Sequence, residues 1–252
     1  YVDTTRAEEI LREEARSVLK EVAWQLLPGI CERVVREELE KLLKEVERLK
    51  YTGSSMMLLD LIRASIKEDM PNGDITTESL ALTPRHGRAS LLAKQDIILS
   101  GTVAFEQTIH ALEPNAKLKW HFEEGDSVLK TQILCTIQGD LIKLIKAERV
   151  GLNFLMHLSG ISTLTNKFVS KVSPYGTKIL DTRKTLPGYR DLEKRAVVHG
   201  GGLNHRMSLS SAILIKDNHI AVLGGIRPAV ERIRAHTQLP IEVEARTLKE
   251  VQ

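Results

Sequence analysis

A chain of 252 residues, 42% apolar and 27% charged, can build one large domain or two smaller ones, and its composition is that of a soluble globular protein. A net charge of +3 is too small to call for a nucleic-acid partner, and without a run of about 18 apolar residues no membrane span is expected. The two cysteines, Cys31 and Cys135, lack metal-ligand spacing and read as free thiols, while the charged N-terminus lacks a signal-peptide core, so the cytoplasm is the default location.

Residues 1–50 carry two apolar stripes at helical spacing, Ile10 to Leu26 and Val34 to Leu49, parted by Pro28-Gly29. Each stripe needs a partner, so a helical pair with a possible oligomerising role is expected. "LKEVAWQLLPGICERVVREELEKL" loosely resembles the helical oligomerisation segments of bacterial polar-organising and some response-regulator proteins. "YTGSS", residues 51–55, reads as a linker.

Residues 56–157 read as a mixed α/β domain. "MMLLDLIRASIKEDM" has helix spacing, and "NGDITTESL" carries a turn and then a helix start. "GRASLLAKQDIILSG" reads as strands, and "LKWHFEEGDSVLKTQILCTIQGD" as two extended runs around "EEGD". This last piece resembles lipoyl and biotinyl carrier domains. Their lysine sits in a hairpin turn, whereas Lys130 is placed inside the run, so no carrier role is expected. "LIKLIKAERVGLNFLMHLSGISTLTNKFVSKV" is helical, with a break expected near Ser159-Gly160.

Residues 158–252 form the second domain. "TKILDTRKT", "SAILIKDNHI" and "IEVEA" are short apolar runs separated by helical stretches near residues 190–199 and 226–236. That repetition predicts a parallel sheet buried on both faces, as in an α/β barrel, whose functional side chains gather at the C-terminal strand ends. The three runs end in Arg183-Lys184, in Lys216-Asp217-Asn218-His219, and in Glu242 with Glu244. Between residues 178 and 219 there are eight Lys or Arg against four Asp or Glu, a local balance of +4. "GGGLNHRM" adds His205 and Arg206 behind glycines that permit close backbone approach. Arginine forks and lysine charges converging on one mouth repel one another when empty and suit a multiply charged anion. Arg190, Lys194 and Arg195 are read as a solvated helix face, His199 as a helix C-terminal residue, and His121 and His157 as structural. No Walker loop, HExxH or nucleophile elbow occurs.

"GDITT", "AERVGLNFLMHLSGIST", "DTRKTLPGYRDLEKRAVVHGGGLNHRM", "ILIKDNHI" and "IEVEA" together resemble quinolinate phosphoribosyltransferase, the decarboxylating nicotinate-nucleotide pyrophosphorylase. The resemblance runs from about Met57 to the end of the chain. It implies an N-terminal open-faced α/β sandwich leading into an α/β barrel. It also implies magnesium-dependent transfer of phosphoribosyl from phosphoribosyl pyrophosphate to quinolinate, giving nicotinate mononucleotide, pyrophosphate and CO2 for NAD biosynthesis. By the resemblance, Arg183, His205, Arg206 and Lys216 hold the quinolinate carboxylates, and Lys184 stands between the substrates. Glu244 faces ribose and Mg2+, with Glu242 less favoured. His219 supports the mouth, and Arg149 serves the neighbouring subunit of a homodimer.

The family continues past "IEVEA" with a further acidic strand end and phosphate-binding glycine loops, so an incomplete barrel is expected here. Two other readings stand beside the enzyme. One is a related pyrophosphorylase-like protein of molybdate-transport operons. The other is an inactive assembly protein driven by residues 1–50.

Overall fold

The computed structural model describes residues 52–251. The helical pair expected over residues 1–50, with Cys31, lies outside the described residues. The chain divides into two compact units, Tyr1–Met56 and Met57–Gln252, and the architecture below is that of the second. Residues 52–55, expected as linker, instead begin helix α1, Thr52–Asp69.

Leu58 and Ile62 of α1 are one turn apart and buried in a cluster with Phe154, Leu158, Leu192 and Ala196, as helical i, i+4 neighbours must share a face. Helix α2, Ile75–Ser79, starts at Asp74, whose carboxylate accepts from the Thr77 N–H (3.1 Å) and hydroxyl. Its N-cap is therefore the Asp of "GDITT".

Strands β1 (His86–Leu92), β3 (Lys117–Trp120) and β5 (Ile133–Asp140) form an antiparallel sheet in the order β1-β5-β3. Ala89 and Leu118 both pair with Ile137. Two short strands, β2 (Ile97–Ile98) and β4 (Ser127–Val128), pair separately. Helices α3 (Thr102–Leu112) and α4 (Leu141–Val172) supply Phe105, Ile109, Leu144, Ala147 and Leu155 to a core with Leu134 and Ile137 of the sheet. Each large side chain buried there contributes about 1.5–3 kcal/mol. On β1, His86, Arg88 and Ser90 alternate outward to solvent, so one sheet face is open, as the period of two requires.

Two local expectations differ from the structure. Helix α4 runs unbroken for 32 residues through Ser159-Gly160. The buried Ser159 hydroxyl donates to the Ser100 carbonyl (2.9 Å) and accepts from its N–H (3.1 Å), so the polar pair ties the helix to the β2 segment. Lys130 lies in the turn between β4 and β5, next to Thr131 at φ 74°, rather than inside an extended run. Its N–H donates to Asp96 Oδ1 (2.8 Å).

Beyond α4 the chain alternates short strands and helices: α5 (Arg190–His199), β6 (Ile213–Ile215), α6 (Asp217–Leu223), α7 (Ile226–Arg234), β7 (Ile241–Val243) and α8 (Leu248–Val251). Strands β6 and β7 are parallel, with Ile215 opposite Val243. The run "TKILD" does not form a full strand. It makes one parallel bridge, Leu180 to Leu203, because only a single short segment lies alongside it. In the β6–β7 pair only Ile215 is buried, Glu242 is exposed and the rest are half-buried, less covered than the continuous apolar runs predicted. The class is α/β, an open-faced sandwich followed by barrel-type units.

Candidate active site

Parallel pairing places the polar residues after each strand at one edge. Lys216 follows β6 and Glu244 follows β7, and the Glu244 N–H donates to the Ile215 carbonyl (2.9 Å). That register brings Lys216 Nζ to 3.7 Å from Glu244 Oε2. Both side chains are about half exposed, so the pair is worth no more than about 1 kcal/mol and can open to a ligand. His219 accepts the Lys216 N–H at Nδ1 (2.9 Å) and so shapes the strand-to-helix turn. Asp217 sits beside it. The Asn218 N–H holds its carboxyl below the usual range against a desolvation cost, and Arg246 adds to this at 2.6 Å.

His205 follows the Leu203 bridge and reaches Glu242 on β7, Nε2 to Oε2 at 2.7 Å. An ionised carboxylate only accepts, so Nε2 carries the proton. Arg206 donates from Nη1 to the Ala212 carbonyl (3.2 Å).

Arg183 and Lys184 follow the Leu180 bridge. Lys184 is exposed, and its N–H donates to Thr182 Oγ1 (3.1 Å). Arg183 is half-buried, and its Nε is buried with no hydrogen-bond partner. A buried guanidinium nitrogen left unpaired is costly and calls for an acceptor from outside the chain. Arg149 stands exposed on α4, and the contacts joining the strand-end residues do not include it.

The residues missed by the sequence reading lie behind this edge. Lys194 was read as solvated, yet its side chain is 1% exposed and paired with Asp181. Asp181 also accepts the His205 N–H (2.8 Å), and Lys194 donates to the His205 carbonyl (3.3 Å). Oriented to satisfy both neighbours, the Asn204 amide nitrogen donates to Asp181 Oδ2 (2.6 Å) and the Lys194 carbonyl (2.9 Å). Glu193, also buried, accepts the Leu186 N–H (3.3 Å) and pairs with His157 Nε2 (2.9 Å). The only sequence signal was that the charged run Glu193-Lys194-Arg195 lies between the apolar Leu192 and Ala196 on one helix.

His199 does end α5, and it also ties the two halves of this unit. Its Nδ1 lies 2.7 Å from Glu124 Oε2 and 2.8 Å from Ser100 Oγ. Glu124 caps α3, accepting from the Thr102 N–H (2.6 Å) and hydroxyl (2.6 Å) and from the Gly101 N–H (3.0 Å). Burial pushes the Glu124 carboxyl up, but hydrogen bonds from His199, Thr102 and Gly101 outweigh it and bring it down to about 2.

Two family models match the chain: the quinolinate phosphoribosyl transferase N-terminal domain over residues 74–159 and its C-terminal domain over residues 161–252. A probable nicotinate-nucleotide pyrophosphorylase [carboxylating] from Synechocystis is 40% identical over 189 residues, 74% of this chain and 64% of that protein. A mitochondrial quinolinate phosphoribosyltransferase [decarboxylating] from Nicotiana tabacum is 38% identical over 200 residues, 77% of this chain and 56% of that protein. The chain thus spans less than two thirds of these relatives' lengths. The solved nicotinate-nucleotide pyrophosphorylase of Francisella tularensis aligns with a TM-score of 0.74 at 37% identity, over 77% of this chain and 69% of that one.

Proposed function

Because this chain belongs to the quinolinate phosphoribosyltransferase family, we propose that it takes part in transferring phosphoribosyl from phosphoribosyl pyrophosphate to quinolinate, with decarboxylation, in NAD biosynthesis. The observation that carries the reading is the buried, unpartnered Nε of Arg183 beside Lys184, just past the Leu180–Leu203 bridge that His205 and Arg206 also follow, with His205 paired to Glu242 of β7. Quinolinate brings two carboxylates, and each finds a cation there. The paired Arg and His donors fix the ring, so that its nitrogen faces the sugar. Attack of that nitrogen on the ribose carbon forms the C–N bond as the bond to pyrophosphate breaks. Lys184 neutralises charge on the departing oxygen. The ring, now cationic, accepts the electron pair released when the adjacent carboxylate leaves as CO2, so no separate base is needed.

Magnesium is commonly held by one or two carboxylates together with substrate phosphates. Among the described residues no group of three or more His, Cys, Asp or Glu could hold an ion alone, and Glu242 with Glu244 on and beside β7 suits the substrate-borne mode. Glu244, with Glu242 next to it, would hold the ion, whose chemistry is to offset pyrophosphate charge.

A homodimer is part of this reading. Ile145, Arg149 and Met156 fall within about 40° around α4 at 3.6 residues per turn, and Ile145 and Met156 are 53% and 55% exposed. That face, with Arg149 in it, supports a partner subunit receiving the arginine. A cytoplasmic location accords with Cys135, a buried free thiol. No helix among the described residues is long and apolar enough to cross a membrane.

The test is to mix the chain with quinolinate, phosphoribosyl pyrophosphate and Mg2+ and look for nicotinate mononucleotide by mass spectrometry. Product that disappears in Lys184→Ala supports the reading. Absence of both product and quinolinate binding would overturn it.

A further inference from the structure

Neither the site residues nor the family match says why the backbone between Asp181 and Tyr189 holds its shape. Between the Leu180 bridge and α5 it has no ladder partner, yet it carries two adjacent cations. Leu203, Asn204 and His205 meet Asp181 at its start, and three residues of α5 supply further restraining contacts along it. Lys194, buried to 1% exposure, pairs with Asp181 at the leading end. Glu193, buried to 9%, accepts the Leu186 N–H (3.3 Å) at the trailing end. Arg190 donates from Nε to Thr185 Oγ1 (3.2 Å) and from Nη1 to the Met207 carbonyl (3.5 Å). Lys194 and Asp181 also grip the second cationic segment, through the His205 carbonyl and N–H.

We propose that Glu193 and Lys194 are positioning residues: α5 is a two-ended clamp that fixes the Arg183-Lys184 segment and aligns His205 with it before substrate arrives. The proposal rests on the quinolinate reading of the same site. Like charges held side by side drift apart unless the backbone between them is fixed, and cations already in place need no reorganisation when the anion binds. Neither clamp residue touches substrate. Their effect passes through the segment they hold, and a displacement of about 1 Å at such a segment can cost on the order of 10²-fold.

Two pairs of variants separate clamping from mere folding. Lys194→Met leaves Asp181 buried and uncompensated, whereas Lys194→Met with Asp181→Asn removes both charges and keeps an acceptor for the His205 N–H. Glu193→Gln keeps the acceptor for the Leu186 N–H, and Glu193→Ala removes it. Amide hydrogen exchange at residues 183–186, measured without substrate, reads the clamp itself. Quinolinate affinity by calorimetry reads its consequence.

The expected result is faster exchange in Glu193→Ala and in the double variant, with quinolinate bound at least about tenfold more weakly. Glu193→Gln stays near the parent in both. The thermal midpoint of the double variant returns toward the parent while its affinity does not. Exchange unchanged in folded Glu193→Ala and double variants overturns the clamp. Affinity recovering along with stability in the double variant also overturns it, because Lys194 would then serve only the fold. If the parent itself ignores quinolinate while exchange still rises in the variants, the clamp stands and the substrate reading falls.

Discussion

The Lys194 ammonium and the Asp181 carboxylate face each other with 1% and 6% of their side chains exposed, the most deeply buried ion pair among the described residues. One partner lies in a helix and the other at a strand end 13 residues earlier. The pair therefore sets the spacing between α5 and the segment that carries Arg183.

Removing one partner leaves an unpaired buried charge. Lys194→Met should lower stability by about 3–5 kcal/mol, measured as the urea midpoint with an unchanged slope. Adding Asp181→Asn should recover most of that loss.

Acid should act through Glu124. Its carboxyl is brought down to about 2 in the folded chain from an ordinary 4.5. A depressed folded value means stability that is present above pH 4.5 and is lost as pH falls toward 2. The size is roughly 3 kcal/mol, at about 1.4 kcal/mol per unit. Denaturant midpoints from pH 6 to pH 2 should fall more steeply in the parent than in Glu124→Gln, which lacks the titration. Parallel curves would contradict this.

Gly200 is fixed by packing, since its φ of −76° suits any residue. An added Cβ would stand 2.4 Å from the Ser162 carbonyl oxygen and 2.6 Å from Thr165 Cβ. Gly200→Ala should cost about 1–3 kcal/mol or more, read from thermal unfolding. Gly160→Ala, with nothing within 4 Å, should be neutral or slightly stabilising.

Burial pushes the Cys135 thiol up to about 11. A thiol that stays protonated is a poor nucleophile. Alkylation mapped by mass spectrometry at pH 8 should leave Cys135 unmodified in the native chain and label it in urea. Rapid native labelling would contradict the buried placement.

If Arg149 completes a neighbour's site, Arg149→Ala and Lys184→Ala should each be inactive alone and partly active when co-expressed. Random pairing gives half heterodimers with one intact site of two, so about a quarter of parent activity is expected. No recovery would place Arg149 in its own subunit's site or outside any site.

Periodicity and turn chemistry were enough to find α1, the sheet strands, α5 and the β6–β7 units. A stripe or an alternation records which face is buried without naming what buries it. The charged strand ends were legible for the same local reason: Lys216 and Glu244 directly follow β6 and β7, and Arg183 and Lys184 come three and four residues after Leu180. Ser159-Gly160 misled because a small polar pair signals a break only when nothing packs on it, and Ser100 does.

The sequence by itself determined most element types and the family, since stripes, alternations and motifs are local patterns. Tertiary structure alone decided that Lys194 is buried, that His199 joins Glu124, and that Glu193 holds the Leu186 backbone. Each of those rests on a partner 7 to 75 positions away, and a charge discloses its burial only when the group that compensates it is in place.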